Sequence, residues 1–216
     1  MGFSPCHNWK ETDHGQAMKL PLPPVFIAAV LLLVVGLPVA YLAWPAPTPP
    51  PVSLSATAIE SVRVLRDHQG AAVAENWPTE NGALVFFGFT HCADICPTTL
   101  IRVRDALNQL EDSGRQPTPT FITLDPERDT MDRLKAYLGF FDPRIRGLAG
   151  TSQQIGQIVE TWGLYARRVD FDNTYLLDHT TALFLLDNRG ELLGVLSGQL
   201  EAAELARRIR QLMDGG

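Results

Sequence analysis

Apolar positions along this chain fall into one long unbroken run followed by a series of short ones, and the change of spacing divides the molecule. From Val25 to Trp44 no residue carries a charge. A helix of that length, at about 1.5 Å per residue, spans about 30 Å, the thickness of a bilayer's hydrocarbon core. Gly36 and Pro38 interrupt the run, and membrane helices tolerate both. The pattern predicts a transmembrane helix over 25–44. A cleaved signal peptide is the alternative, but its apolar region covers only about 7 to 15 residues and ends at a small-x-small junction. The junctions after Ala40, Ala43 and Ala46 carry Pro38, Tyr41 and Trp44 at the third position before the cut.

Beyond Pro45, Pro47 and Pro49 to Pro51, which form a stiff extended linker over 45–57, the runs shorten. Ala83 to Phe89 is wholly apolar, as in a strand buried on both faces. Leu100, Val103, Leu107 and Leu110 then recur at helical spacing within 98–110. Thr120 to Leu124 reads as a second strand. Met131, Leu134, Leu138 and Phe141 mark a second helix, with Asp129 or Thr130 as its cap. A short strand over 145–149 and a helix bearing Ile155, Ile158, Val159 and Trp162 continue the alternation, which implies a parallel sheet. The pattern then changes. Thr181 to Asp187 and Leu192 to Ser197 flank Asn188, Arg189 and Gly190 as a hairpin, and a last helix aligns Ala202, Leu205, Ala206, Ile209, Leu212 and Met213 on one face. A parallel βαβ half followed by a hairpin and a helix is the thioredoxin order. Ahead of it, Ser61 to Leu65 and Ala71 to Ala74 about the turn Asp67 to Gly70 predict an extra N-terminal β-hairpin. The expected organisation is an N-terminal tail over 1–24, the membrane helix, the linker, and an α/β thioredoxin-like domain over 58–216.

Charge adds direction to this picture. The net charge is −6, and Lys10, Lys19, Glu11 and Asp13 cancel within residues 1–24, so all of it belongs to the remainder. Nucleic acid is therefore not an expected partner, because such binding depends on Lys and Arg against phosphate. Lys10 and Lys19 precede the apolar run, and the first basic residue after it is Arg63. The positive-inside rule puts the N-terminus in the cytoplasm and the folded domain outside, as expected for a single-pass protein of a bacterial inner membrane with a periplasmic domain. The absence of Arg and the two acidic residues in the tail argue against a mitochondrial presequence.

The candidate chemistry lies at the end of the apolar strand. Cys92 and Cys96 follow it, where open α/β sheets place their sites. Pro97 favours a helix start, and a helix N-terminus favours thiolate over thiol, so Cys96 is expected to carry a lowered pKa. A structural disulfide is one reading of the pair, although so short a loop gains little from closure. A redox pair is another, and a metal site a third. His179, just before the first strand of the C-terminal hairpin, joins the cysteines if that strand runs antiparallel to theirs. The alternative for His179 is a hydrogen bond to Asp178 or to backbone. Two thiolates and an imidazole suit Cu(I), and with a fourth ligand they suit Cu(II) or zinc. His91 is expected to point away from Cys92, His68 to be solvated in its turn, and Asp125, Glu127 and Asp129 to serve turns and caps. Cys6 and His7 fall in the polar tail.

Three segments in order, FGFTHCADICPTTL (Phe87 to Leu100), LDPERDT (Leu124 to Thr130) and DHTTALFLLDNRG (Asp178 to Gly190), resemble the motifs of the Sco/SenC family of copper proteins. The resemblance implies a thioredoxin-like fold in which Cys92, Cys96 and His179 bind one copper ion. It also implies a carrier, rather than primarily a catalyst, that helps to assemble the dinuclear copper centre of cytochrome c oxidase subunit II. Ala93 stands where the family often has proline. The same resemblance allows a thiol-disulfide reductase that uses Cys92 and Cys96 on the target's cysteines. A thiol peroxidase would need an activating arginine, and the sequence assigns none.

Overall fold

The computed structural model describes residues 54–73, 77–111 and 114–215. The tail, the expected membrane helix and most of the linker lie outside the described residues. Among the described residues no helix is long and apolar enough to cross a membrane.

The chain runs through α1 (Ala56–Arg63), β1 (Arg66–Asp67), β2 (Ala83–Gly88), α2 (Ile95–Asn108), β3 (Thr118–Thr123), α3 (Met131–Gly139) and β4 (Arg146–Ala149). It continues through α4 (Ser152–Thr161), β5 (Ala166–Phe171), β6 (Thr174–His179), β7 (Ala182–Leu186), β8 (Leu192–Ser197) and α5 (Ala202–Asp214). Six strands form one sheet in the order β1-β4-β3-β2-β7-β8. β2 pairs parallel with β3 and antiparallel with β7, and β3 pairs parallel with β4.

The unbroken apolar run at β2 has a direct cause: all six of its residues are buried. Side chains alternate across a strand, so Leu84 and Phe86 pack with α2, α3 and α5 on one face of the sheet. Val85 and Phe87 pack with α1 and α4 on the other. The result is the three-layer thioredoxin-like arrangement expected, with the ends of β2 and β3 free to carry a site.

The expected N-terminal hairpin is corrected in its first half. Ser61 to Leu65 belongs to helix α1 and its end. Ser55 caps that helix by accepting from the Ala58 amide at 3.2 Å, and Ala58, Ile59 and Val62 bury at helical spacing. Ser61, which a strand would turn outward, is buried and donates to the Ala58 carbonyl at 2.7 Å. The turn itself is present. Asp67 Oδ1 accepts from the Gln69 and Ala71 amides at 3.0 and 2.9 Å, and Gly70 takes a φ of 86°. Among the described residues the strand pairing is reduced to the Arg66–Ala72 bridge, flanked by the Asp67 amide donating to the Ala71 carbonyl at 2.8 Å and the Val73 amide donating to the Leu65 carbonyl at 3.2 Å. His68 is not merely solvated: its Nδ1 accepts from the Gly147 amide at 2.9 Å and its amide donates to the Gly147 carbonyl at 2.8 Å.

A different hairpin, β5–β6, fills the stretch between α4 and β7, where the sequence reading assigns no element. Its strands pair from Ala166↔His179 to Phe171↔Thr174 around Asp172 and Asn173, with Asp172 at a φ of 46°. Every β5 residue is exposed. Asp-Asn is not among the Gly-containing pairs that mark a two-residue hairpin loop, and although β6 alternates exposed and partly buried positions, β5 offers no apolar period to announce it.

Candidate metal centre

Between β2 and α2 the chain turns through Phe89 to Asp94. The Cys92 amide donates to the Phe89 carbonyl at 3.2 Å and draws the turn together. Asp94 occupies the capping position of α2 but makes no capping bond with its side chain. The Cys96 amide, one of the first-turn donors without an acceptor inside the helix, instead donates to Cys92 Sγ at 3.4 Å. A sulfur thus takes the cap's place. Helix α2 begins at Ile95, so Pro97 is its third residue rather than its first, still within the turn where an amide hydrogen has no partner.

This arrangement separates the two thiols. Hydrogen bonding from the Cys96 side chain is the largest influence on Cys92 and lowers its pKa to about 5; the Cys96 and Asp94 amides and the His179 charge act the same way, against burial. Cys96 is fully buried, and its thiol is pushed up, first by its bond to the Cys92 sulfur and then by desolvation. The expectation that Cys96 bears the thiolate is therefore corrected. The helix-terminal amide belongs to Cys96, but the sulfur it meets belongs to Cys92. Gly88 makes room for the buried thiol, since a Cβ there would lie 2.9 Å from both Cys96 Sγ and the Phe121 ring.

His179 arrives from the other side. The antiparallel pairing of β7 with β2, ending at Phe86↔Leu183, sets the residues before Ala182 beside those after Gly88. The His179 ring meets the Phe89 ring edge to face at 5.7 Å. Its Nδ1 lies 2.8 Å from the Thr180 carbonyl oxygen, which can only accept, so Nδ1 holds a hydrogen and Nε2 is the nitrogen whose lone pair the neutral ring can offer to an ion. That Nε2 lies 4.0 Å from Cys96 Sγ. Asp178 is not the orienting partner: it pairs across the hairpin with Arg167 and is exposed. The backbone of Thr180 fills the role that a carboxylate often plays for a ligating histidine.

The segment after β3 ties the cysteine turn to the sheet. Asp129 is buried and accepts from the Thr90 amide at 3.0 Å, the Thr90 hydroxyl at 2.6 Å and the Thr123 hydroxyl at 2.6 Å. Thr130, not Asp129, caps α3 through the Arg133 amide. Asp125 pairs with Arg128 at 2.5 Å and accepts from the Tyr175 hydroxyl at 2.7 Å. Arg128 also lies 3.5 Å over the Tyr175 ring and donates to the Tyr175 carbonyl at 2.9 Å. The hairpin that ends in His179 is thereby fastened to the segment that holds the cysteine turn. Arg128 and Tyr175 escape sequence reasoning, because neither is a ligand type and the contact spans 47 positions.

His91, Asp125 and Asp129 bring their ligand atoms within 4.8 Å of one another. Both carboxylates there are already engaged by Thr90, Thr123, Arg128 and Tyr175, and His91 Nδ1 stands 3.3 Å from the Thr90 hydroxyl. That cluster is satisfied by the protein's own donors. Cys92, Cys96 and the free Nε2 of His179 offer two sulfurs and an imidazole nitrogen, a donor set that fits a soft ion.

A measurable consequence concerns the thiols. Iodoacetamide added to the reduced protein at pH 7 is expected to modify Cys92 well before Cys96, as read by peptide mass spectrometry. Because the Cys92 pKa is lowered, its thiolate is populated above about pH 5, so the rate should stay level down to about pH 6 and fall as the pH drops through 5. Faster labelling at Cys96 would contradict the geometry.

The fold and site together define a thioredoxin-like protein with a dithiol and a histidine gathered at one end of its central strands. The chain belongs to the SCO1/SenC family, whose model matches residues 54–214. It is 37% identical over 153 residues to the mitochondrial SCO2 homolog of Bos taurus, covering 69% of this chain and 58% of that protein. The chain thus spans less than two thirds of that relative's length. It is 34% identical over 186 residues to the SCO2-like protein RC0895 of Rickettsia conorii, covering 82% of this chain and 91% of the other. Among solved structures, copper-bound ScoI of Bradyrhizobium japonicum superposes with a TM-score of 0.62 at 33% identity, over 68% of this chain and 95% of that one.

Proposed function

We propose that this protein is a membrane-anchored copper carrier that holds one ion through Cys92, Cys96 and His179 and passes it to the dinuclear copper centre of cytochrome c oxidase subunit II. The observation that carries the proposal is the free Nε2 of His179 beside the buried Cys96 sulfur, with the low-pKa Cys92 in the same turn. Support comes from family membership and from relatives solved with copper bound. The Sco family is described as one of cytochrome c oxidase assembly proteins.

Each residue has a distinct task in such a carrier. Cys92, half-buried and already inclined to the thiolate form, is the first sulfur an arriving ion meets. Cys96 loses its proton as the ion binds, and its burial limits exchange with water. His179, held by Thr180, offers a neutral nitrogen in a fixed direction. Copper is the cargo, and three ligands from one turn and one strand end leave it open to capture by an acceptor. The uncharged segment at 25–44 and the prolines of the linker would hold the domain at the outer face of a bacterial inner membrane.

A second reading is favoured by the contrast between the two thiols. Cys92 thiolate could attack one sulfur of a substrate disulfide, breaking that bond and releasing the other sulfur as a thiolate. Cys96, losing its proton, would then attack the Cys92 sulfur of the mixed disulfide, closing a Cys92–Cys96 bond while the bond to the substrate breaks and its sulfur leaves as a second thiolate, so that two electrons pass to the substrate.

The test is a titration. Residues 45–216, reduced and supplied with Cu(I) against a competing chelator, are expected to take up one equivalent tightly. No uptake, with disulfide exchange intact, would leave the reductase reading in its place.

A further inference from the structure

The β5–β6 hairpin, which ends in His179, is not part of the six-stranded sheet; among the described residues its strands pair only with each other. Tyr165 and Thr180 close its base, the Thr180 amide donating to the Tyr165 carbonyl and the Tyr165 amide to the Thr180 hydroxyl, each at 2.9 Å. A two-stranded hairpin is marginal by itself in water, so side chains must hold the rest of it against the domain. Tyr175, Leu177 and His179 occupy its partly buried face. Leu177 packs on the core, and Tyr175 is where charged groups take hold.

Arg128 reaches that face from the turn after β3. Its Nη1 donates to the Tyr175 carbonyl at 2.9 Å and to the Thr174 hydroxyl at 3.3 Å, its Nε donates to Asp125 at 2.5 Å, and the Tyr175 hydroxyl donates to the same carboxylate at 2.7 Å. The guanidinium lies 3.5 Å over the Tyr175 ring and 5.9 Å over the Phe89 ring. Phe89 is the ring that meets the His179 imidazole edge to face, and its carbonyl accepts from the Cys92 amide. One side chain thus touches both the strand that carries the imidazole and the ring on which the imidazole rests. Its Nη2 is buried without a hydrogen bond among the described residues. Stability alone does not account for that placement, since a buried donor left unpaired costs about 1–3 kcal/mol.

We propose that Arg128 is a positioning residue for copper binding: through Tyr175 and Phe89 it fixes the His179 imidazole beside the Cys96 sulfur, and the Asp125–Arg128–Tyr175 contact is the catch that keeps the hairpin closed on the site. The proposal rests on the copper-carrier reading above and names what sets the third ligand in place. With the catch released, the hairpin loosens and takes His179 with it, leaving the two sulfurs alone to hold an ion. Arg128 acts only through other residues, so its effect on copper must vanish once the imidazole is gone. A residue that served stability alone would weaken the site with or without His179.

The test is a double-substitution cycle on the full chain in detergent, with Cys6→Ser throughout so that only the two site thiols respond. Titrated with Cu(I) against a chelator, Arg128→Gln is expected to bind about tenfold more weakly than its parent, the scale of losing a group that orients a metal ligand. In the His179→Ala background the same substitution should change affinity by less than about twofold, because the two residues act as one. A second measurement needs no copper. In metal-free Arg128→Gln, the amides of residues 174–179 should exchange hydrogen about tenfold faster or more, the worth of a hydrogen bond to a charged group, while those of β2 and β3 stay as in the parent; mass spectrometry reads both. If Arg128→Gln fails to fold, Tyr175→Phe carries the same cycle: it keeps the ring and removes its bond to Asp125, with about a threefold loss expected in the parent and none in His179→Ala. Equal losses in the two backgrounds, an Arg128→Gln affinity within about twofold of the parent, or exchange that rises evenly through the six-stranded sheet would each overturn the role of Arg128. A parent protein that takes up no Cu(I) would overturn the carrier reading itself, with the exchange measurement still deciding the catch.

Discussion

Replacing His179 with alanine is expected to weaken Cu(I) binding by about a hundredfold or more while leaving the domain folded. Removing a group that merely orients a metal ligand costs about 10- to 100-fold in affinity, and a direct ligand should cost at least as much. The side chain's other engagements are few: a hydrogen bond to the neighbouring Thr180 carbonyl and one ring contact with Phe89. Backbone pairing of β6 with β5 and of β7 with β2 holds that part of the chain without the imidazole. Chelator competition measures the affinity, and circular dichroism checks the fold. Disulfide exchange should stay nearly intact in the same variant, because the nucleophilic Cys92 keeps the Cys96 amide, whereas substitution of either cysteine should abolish it. Affinity within threefold of the parent would remove His179 from the ligand set.

The second large effect is expected at Asp129. Asp129→Ala leaves the Thr90 amide and the hydroxyls of Thr90 and Thr123 without their acceptor. A buried donor left unpaired costs about 1–3 kcal/mol; the Thr123 hydroxyl is fully buried, whereas the Thr90 groups are part-buried and lose less, giving about 3 kcal/mol in all. For a domain of this size that lowers the thermal midpoint by about 6–12 °C. The cysteine turn should also loosen, since Thr90 lies two residues before Cys92, and copper affinity should fall with stability. Asp129→Asn keeps one acceptor oxygen and should lose about half as much. A midpoint within 2 °C of the parent in Asp129→Ala would contradict the tether.

Most of the central fold was legible because its residues answer to a single period. β2 is buried on both faces and is apolar throughout. α5 carries its apolar stripe on one side and buries Leu205, Ala206 and Ile209 along it. The misread segments are those where two patterns compete or none stands out. Ser61 to Leu65 alternates acceptably as a strand, and the helix is decided by the Ser55 cap and by packing of Ile59 and Val62 against α4, which is distant in sequence. The β5–β6 hairpin has one strand exposed along its whole length, so burial wrote no alternation into it.

The site divides in a similar way. Cys92, Cys96 and His179 could be singled out because thiols and imidazoles are rare and chemically distinct, and the antiparallel β7 brings the histidine to the cysteines' end of the sheet. Which thiol is the acidic one could not be read from spacing. It depends first on the hydrogen bond between the Cys96 side chain and the Cys92 sulfur and then on that sulfur's contact with the Cys96 amide, matters of side-chain direction rather than position. Arg128 and Tyr175 act through contacts across the fold, and a linear reading has no term for them.

X-ray absorption at the copper edge of the Cu(I)-loaded chain, with Cys6→Ser, tests the central claim most directly. The arrangement of Cys92, Cys96 and His179 predicts two sulfur neighbours and one nitrogen, with the outer-shell scattering of an imidazole that disappears in His179→Ala. A shell of sulfur alone, or an imidazole signal that survives in His179→Ala, would contradict it.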